Sequence, residues 1–149
     1  MGSRYDRSMA KSVFAGAVGG LVGCYAMDLF HSVAGASGEQ PSSSGNGEDA
    51  TQEAASAAGP IVHYAFGALM GAAYGALRVA APQATSIGGV PFSTAIWLGA
   101  DEVAVPALGL GASPLETPAP QHGSALAAHA VYGIVLELVH AGILKAMGD

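Results

Sequence analysis

Charge is what this sequence has least of. Lys, Arg, Asp and Glu together make up 11% of its 149 residues, against roughly 25% in ordinary globular proteins. A soluble domain keeps its surface in water largely with charge, so the deficit argues against one. The five Lys and Arg residues form no basic patch, which removes the electrostatic footprint that nucleic-acid binding needs. Cys24 is the single cysteine, so an intramolecular disulfide is excluded and the fold depends on no oxidising compartment. There is no nucleophile triad, phosphate loop or dinucleotide fingerprint, and the glycine runs lack the strand-to-helix context that phosphate binding requires. Those motifs therefore give catalysis no support.

What is present is apolar. Hydrophobic residues reach 51% and glycine contributes 22 positions. Runs free of Asp, Glu, Lys and Arg extend over Ser12 to Met27, Ala54 to Leu77, Val79 to Ala100 and Gln121 to Leu136. With their flanking turns, each approaches the ~20 residues that cross a hydrocarbon core about 30 Å thick. The expectation is a single all-α membrane domain over residues 1–149, a four-helix bundle with helices near 10–34, 59–79, 88–111 and 123–147. Asp101 and Glu102 sit within the third helix, and Pro106 interrupts it by removing the N–H that would bond the Glu102 carbonyl. Residues 35–58, rich in Ser, Gly and acids, read as a mobile outer loop. In the last connection Ser113 and Glu116 resemble a capping box opening one turn, which Pro118 and Pro120 would stop.

The basic residues also sort by side. Arg4, Arg7 and Lys11 precede the first helix, Arg78 follows the second and Lys145 ends the fourth, while the opposite loops carry Glu39, Glu48, Asp49, Glu53 and Glu116. This positive-inside pattern is expected to place both termini in the cytoplasm. "LVGC", residues 21–24, matches a lipobox, but the apolar run continues through Tyr25, Ala26 and Met27 to Leu29 and Phe30, where a lipoprotein would have a polar tether. Cys24 reads as packing.

Small residues let helices approach where no hydrophobic effect drives them together. Gly16 and Gly20 on the first helix, with Gly19 and Gly23 one step round, and Gly67, Gly71 and Gly75 on the second form such faces. The ionisable residues continue these stripes: Asp28 and His31, His63, Asp101 and Glu102, and His129. Facing lipid, a charge would cost about 2.5 to 3.5 kcal/mol, so these groups point inward. At a rise of about 1.5 Å per residue, Asp28, His63, Asp101 and His129 all lie roughly 20 to 25 Å from the cytoplasmic end, and Glu137 and His140 only roughly 5 to 10 Å. The paired Asp28-x-x-His31 and Glu137-x-x-His140 are thus at opposite ends, which argues against a di-iron site. A faint echo, His63-x-x-Phe66-Gly67 and His129-x-x-Tyr132-Gly133, hints at two related hairpins.

"GGLVGCYAMD" ending at Asp28, "HYAFGALMGAAYG" from His63, "LGADEVAVPALGL" from Leu98 and "HAVYGIVLELV" from His129 resemble the YagU-like family of small bacterial inner-membrane proteins. The resemblance implies a multi-helix membrane protein with no assigned reaction. Relatives often carry a basic residue shortly after the acid matching Glu137, where this chain has Val139 and His140, so the family's Glu137 ion pair is not carried over.

Three functional readings follow. In the first, Asp28, His31, His63, Asp101, Glu102 and His129 form a hydrogen-bonded network in a structural or accessory subunit. In the second they handle protons or ions. In the third, His31, His63, His129 and Asp101 hold a metal or haem, and an enzyme could follow; no cofactor is otherwise expected. The expected surroundings are the lipid bilayer, with a homo-oligomer or larger membrane complex and no nucleic acid.

Overall fold

The computed structural model describes residues 2–34, 50–109 and 114–148. Among these residues the chain is helical, with no strand. Helix α1 spans Gly2–Ala34 and α2 spans Ala50–Ala80, followed by a short 3-10 turn at Pro82–Thr85. The third helix, α3, starts as Gly89–Gly99, widens into a π turn at Ala100–Ala104 and closes with one α turn at Val105–Ala107. Helix α4 spans Ala119–Ala146.

Packing follows the glycine rows. Gly16 lies against the Gly71 backbone and Gly20 against Gly67, while Gly75 meets the backbone of Ser12. One step round α1, Gly19 packs on Leu136 and Gly23 on Tyr132, so two adjacent rows of one helix receive two neighbours, α2 and α4. Gly89 and Gly133 bring α3 onto α4 in the same way. A methyl at any of these positions would collide with a neighbouring backbone or side chain, which is why the contacts are made by glycine. Helix α1 therefore runs antiparallel to α2 and α4, and α3 antiparallel to α4. Between them sit Cys24, Met27, Tyr74, Ala128, Tyr132 and Leu136, all buried.

The same directions collect the cations at one end. Arg78 lies in the last turn of α2 and Lys145 in the last turn of α4. Lys11 Nζ donates to the Met147 carbonyl at 3.2 Å, tying the start of α1 to the end of α4.

Two helices, Arg4–Ala34 and Ala119–Ala146, are long and apolar enough to cross a membrane, each with mean hydropathy 1.6. The other two expected spans do not join them. Gly, Tyr, His and Pro60 dilute α2, and α3 is divided into short pieces.

Several boundaries differ from expectation. Helix α2 begins at Ala50, nine residues early, so 50–58 belongs to a helix; Pro60 is accommodated inside it, and the Ala-rich stretch before it favours helix. The rest of the expected outer loop, 35–49, and Ser113 of the expected cap lie outside the described residues. Helix α4 begins at Ala119 with Pro120 in its first turn, because a proline there forfeits no hydrogen bond. Pro118 and Pro120 thus open a helix. The interruption at Pro106 takes the form of the π turn: the Val105 N–H reaches back five residues to the Ala100 carbonyl. The wider turn accommodates a proline that would otherwise press on the preceding turn.

Candidate functional site

In the half of the molecule away from the cations, all four helices frame an open cavity of about 740 Å³. Helices α2 and α3 touch at the other end, where the rings of Tyr74 and Phe92 lie 5.1 Å apart, and share little contact elsewhere. The cavity fills the gap. Its apolar wall comes from Met27, Phe66, Met70, Ile96 and Ala128, and its polar wall from His31, His63, Asp101, Glu102, His122 and His129. Tyr132, whose hydroxyl donates to the Gly67 carbonyl at 2.8 Å, also lines it.

Five of the expected polar residues, His31, His63, Asp101, Glu102 and His129, line the cavity, and Asp28 stands beside His63 outside that lining. Asp28 accepts a hydrogen bond from the Tyr64 hydroxyl at 2.7 Å and lies 3.6 Å from His63 Nε2. His129 Nε2 lies 3.7 Å from Asp101, and His122 Nδ1 lies 2.8 Å from Glu102. The side chains of Asp28 and Asp101 are 52% and 46% exposed on the isolated chain, so the protein alone does not bury them. His31 lines the cavity with its ring edge to Phe30. Among the described residues no three His, Cys, Asp or Glu side chains converge as a metal-binding set. The candidates His31, His63, His129 and Asp101 thus share a cavity without forming a ligand shell.

Two of the pairs have a protonation state legible from their partners. His122 Nε2 faces the Pro114 carbonyl at 3.0 Å, and His129 Nδ1 faces the Ala125 carbonyl at 3.0 Å. A carbonyl only accepts, so those nitrogens carry protons. The other nitrogen of each ring then faces a carboxylate. A hydrogen bond can form between them only if one further proton is present, on the ring or on the acid. At 2.8 Å the His122–Glu102 contact is such a bond. The His129–Asp101 gap of 3.7 Å leaves that pair poised short of one.

His122 was not among the residues singled out from sequence. It fell in the connection as long as the fourth helix was expected to start at 123. Tyr64 and Tyr132 were missed too, since a tyrosine on a small-residue helix reads as packing.

A second polar group lies near the cationic end. The Tyr74 hydroxyl donates to Glu137, and Arg78 Nη1 lies 3.4 Å from the same carboxylate and 3.4 Å from the Thr85 carbonyl. Glu137 therefore has an ion pair, supplied from α2 and not from its own helix. Ser12 Oγ donates to the Gly75 carbonyl at 2.7 Å and lies 2.9 Å from His140 Nε2. A hydroxyl has one proton, so His140 must donate at Nε2. Its Nδ1 is buried and meets no hydrogen-bond partner among the described residues.

The architecture defines a class: an all-helical chain, with two helices able to cross a membrane, enclosing a cavity walled by carboxylates and imidazoles. The chain belongs to the family described as "Protein of unknown function (DUF1440)", whose model matches residues 43–138. That span holds both pairs whose protons can be assigned, while Asp28 and His31 precede it. No match was found among curated proteins or among solved structures.

Proposed function

We propose that this is a YagU-like four-helix protein of the bacterial inner membrane, with both termini in the cytoplasm, and that its outer-half cavity handles protons or ions. The observation that carries the reading is the commitment of His122 Nε2 and His129 Nδ1 to backbone carbonyls. Each leaves an imidazole nitrogen opposite a carboxylate, in a pair that can hold or release one proton. Holding it, the pair is neutral and tolerable in a low dielectric; releasing it, the pair is an anion that attracts a cation.

A purely architectural role for these groups is less well supported. Helix register is already set by glycine contacts on both sides of α1 and between α3 and α4, so the polar pairs are not needed for it. The gathering of all basic residues at one end supports the orientation. Reconstituted in proteoliposomes, the wild type should dissipate an imposed pH gradient, and E102Q and D101N should each slow it at least several-fold. Unchanged rates in both variants would remove the reading.

The accessory-subunit reading keeps one specific support. The Asp28–Tyr64 hydrogen bond lies on an exposed flank of α1 and α2, where lipid would leave it poorly solvated. A helix of a second copy or of another membrane protein would cover it.

A further inference from the structure

We infer that the cavity binds a hydrophobic organic monocation, an amine or onium group on an apolar body, in exchange for a proton held by its acid–imidazole pairs. The inference rests on the reading of the cavity as the functional site and adds the class of its occupant. The size is right for a small molecule: about 740 Å³ falls within the ~300–1,000 Å³ of ordinary ligand pockets.

The walls select charge and shape together. No Lys or Arg lines the cavity, whereas Asp101 and Glu102 do. The acids stand at the π turn of α3, beside His122 and His129 of α4. Across the gap, Phe66 and Met70 of α2 and Met27 of α1 present an aromatic ring and two thioethers. Such groups suit an apolar cation, through the ring face and through soft, adaptable packing. A small hydrated ion would leave that wall unused. The cavity is open, so a ligand can enter it from outside.

Charge balance follows from the protons. A Glu102–His122 pair that shares one proton is neutral. When a monocation docks, the pair gives that proton to water and becomes an anion, and pair plus ligand is again neutral. Binding therefore releases up to one proton per cation and forms no covalent bond.

The test uses the full chain in phosphatidylcholine nanodiscs with tetraphenylphosphonium as the probe, and tetraphenylborate as a body of the same shape and opposite charge. Equilibrium dialysis should show saturable tetraphenylphosphonium binding above empty discs, none for tetraphenylborate, and proton release in weak buffer. Trp97, the single tryptophan, packs edge-on to His122 with ring centroids 6.3 Å apart, so its emission should shift with the same concentration dependence. The double variant D101N/E102Q should bind at least tenfold more weakly. Ala125→Leu, which narrows the cavity and leaves every charge in place, should do the same and guards against misfolding of the double variant. Uptake no greater than in empty discs, equal saturable binding of tetraphenylborate, or insensitivity to both variants would overturn the inference. Proton flux without saturable cation binding would sink this inference and leave the broader reading standing. Saturable binding without flux of protons or ions would do the reverse.

Discussion

Replacing Gly71 with alanine should loosen the whole α1–α2 seam, although alanine is the better helix former. A Cβ at Gly71 would land on the Gly16 carbonyl oxygen and lie 2.9 Å from both the Gly20 Cα and the Gly20 nitrogen. Non-bonded carbon atoms settle at about 3.5–4.0 Å, so the helices must part by roughly 0.6 Å or more. Overpacking of this kind costs about 1–3 kcal/mol. The helical preference of alanine over glycine returns up to ~1 kcal/mol. The net expectation is a loss of about 1–2 kcal/mol, or roughly a five- to thirty-fold fall in the folded-to-unfolded ratio. The strain is not local. Gly75 on Ser12 and Gly67 on Gly20 belong to the same seam, so separation at Gly71 also stretches the 2.7 Å bond from Ser12 to the Gly75 carbonyl.

Gly142 supplies the control, because a Cβ there meets nothing within 4 Å. Gly142→Ala should be neutral within about 0.5 kcal/mol or slightly stabilising. Both variants can be compared by reversible denaturation from mixed micelles, following far-UV circular dichroism. The reasoning fails if G71A unfolds at the wild-type midpoint, or if G142A is the more damaging of the two.

Removing Arg78 should leave the Glu137 carboxylate with only the Tyr74 hydroxyl; since both charged side chains are about a third exposed, R78A should cost roughly 1–3 kcal/mol, below the fully buried range. R78A/E137Q should recover part of that loss, and strict additivity in the double-mutant cycle would refute the pair. Ser12→Ala should cost about 1–3 kcal/mol by leaving the buried His140 Nε2 without its acceptor. S12A/H140L, which also removes the ring nitrogen with no partner, should be more stable than S12A alone, and a further loss of stability would show that His140 has a partner that these contacts omit. Pro106→Ala restores an N–H to α3 and should let the π turn relax toward α geometry, turning Asp101 by up to roughly 100° relative to the turns that follow; proton flux should fall with the helix content unchanged, and unaltered flux would mean that the π turn does not aim the acids.

Much of this arrangement was legible in the residues because it rests on local spacing. Charge-free runs marked the helices, and four-residue glycine rows marked their contacts. Counting the rise per residue put Asp28, His63, Asp101 and His129 at one level; His63, Asp101 and His129 line one cavity, and Asp28 lies 3.6 Å from His63 on the exposed flank of α1 and α2. What escaped depends on which helix stands beside which. Glu137 finds its cation on α2 and His140 its hydroxyl on α1, and neither pairing leaves a trace within the helix that carries the acid or the imidazole. His122 escaped for a different reason. Three prolines in seven residues, Pro114, Pro118 and Pro120, read as a stop, whereas the last two open α4 and the carbonyl of the first is what His122 bonds.

That last error bears on function. The proline-rich connection was expected to open a single capped turn that Pro118 and Pro120 would stop. Instead the Pro114 carbonyl takes the His122 Nε2 proton and so decides which nitrogen faces Glu102. The Ala125 carbonyl does the same for His129 and Asp101 from within α4. In both pairs the backbone, which does not titrate, fixes which ring nitrogen faces the carboxylate at the cavity wall. The glycine seams hold the helices in register without using these side chains. Separating the two jobs in this way leaves the acids and imidazoles available for chemistry that would otherwise compete with folding.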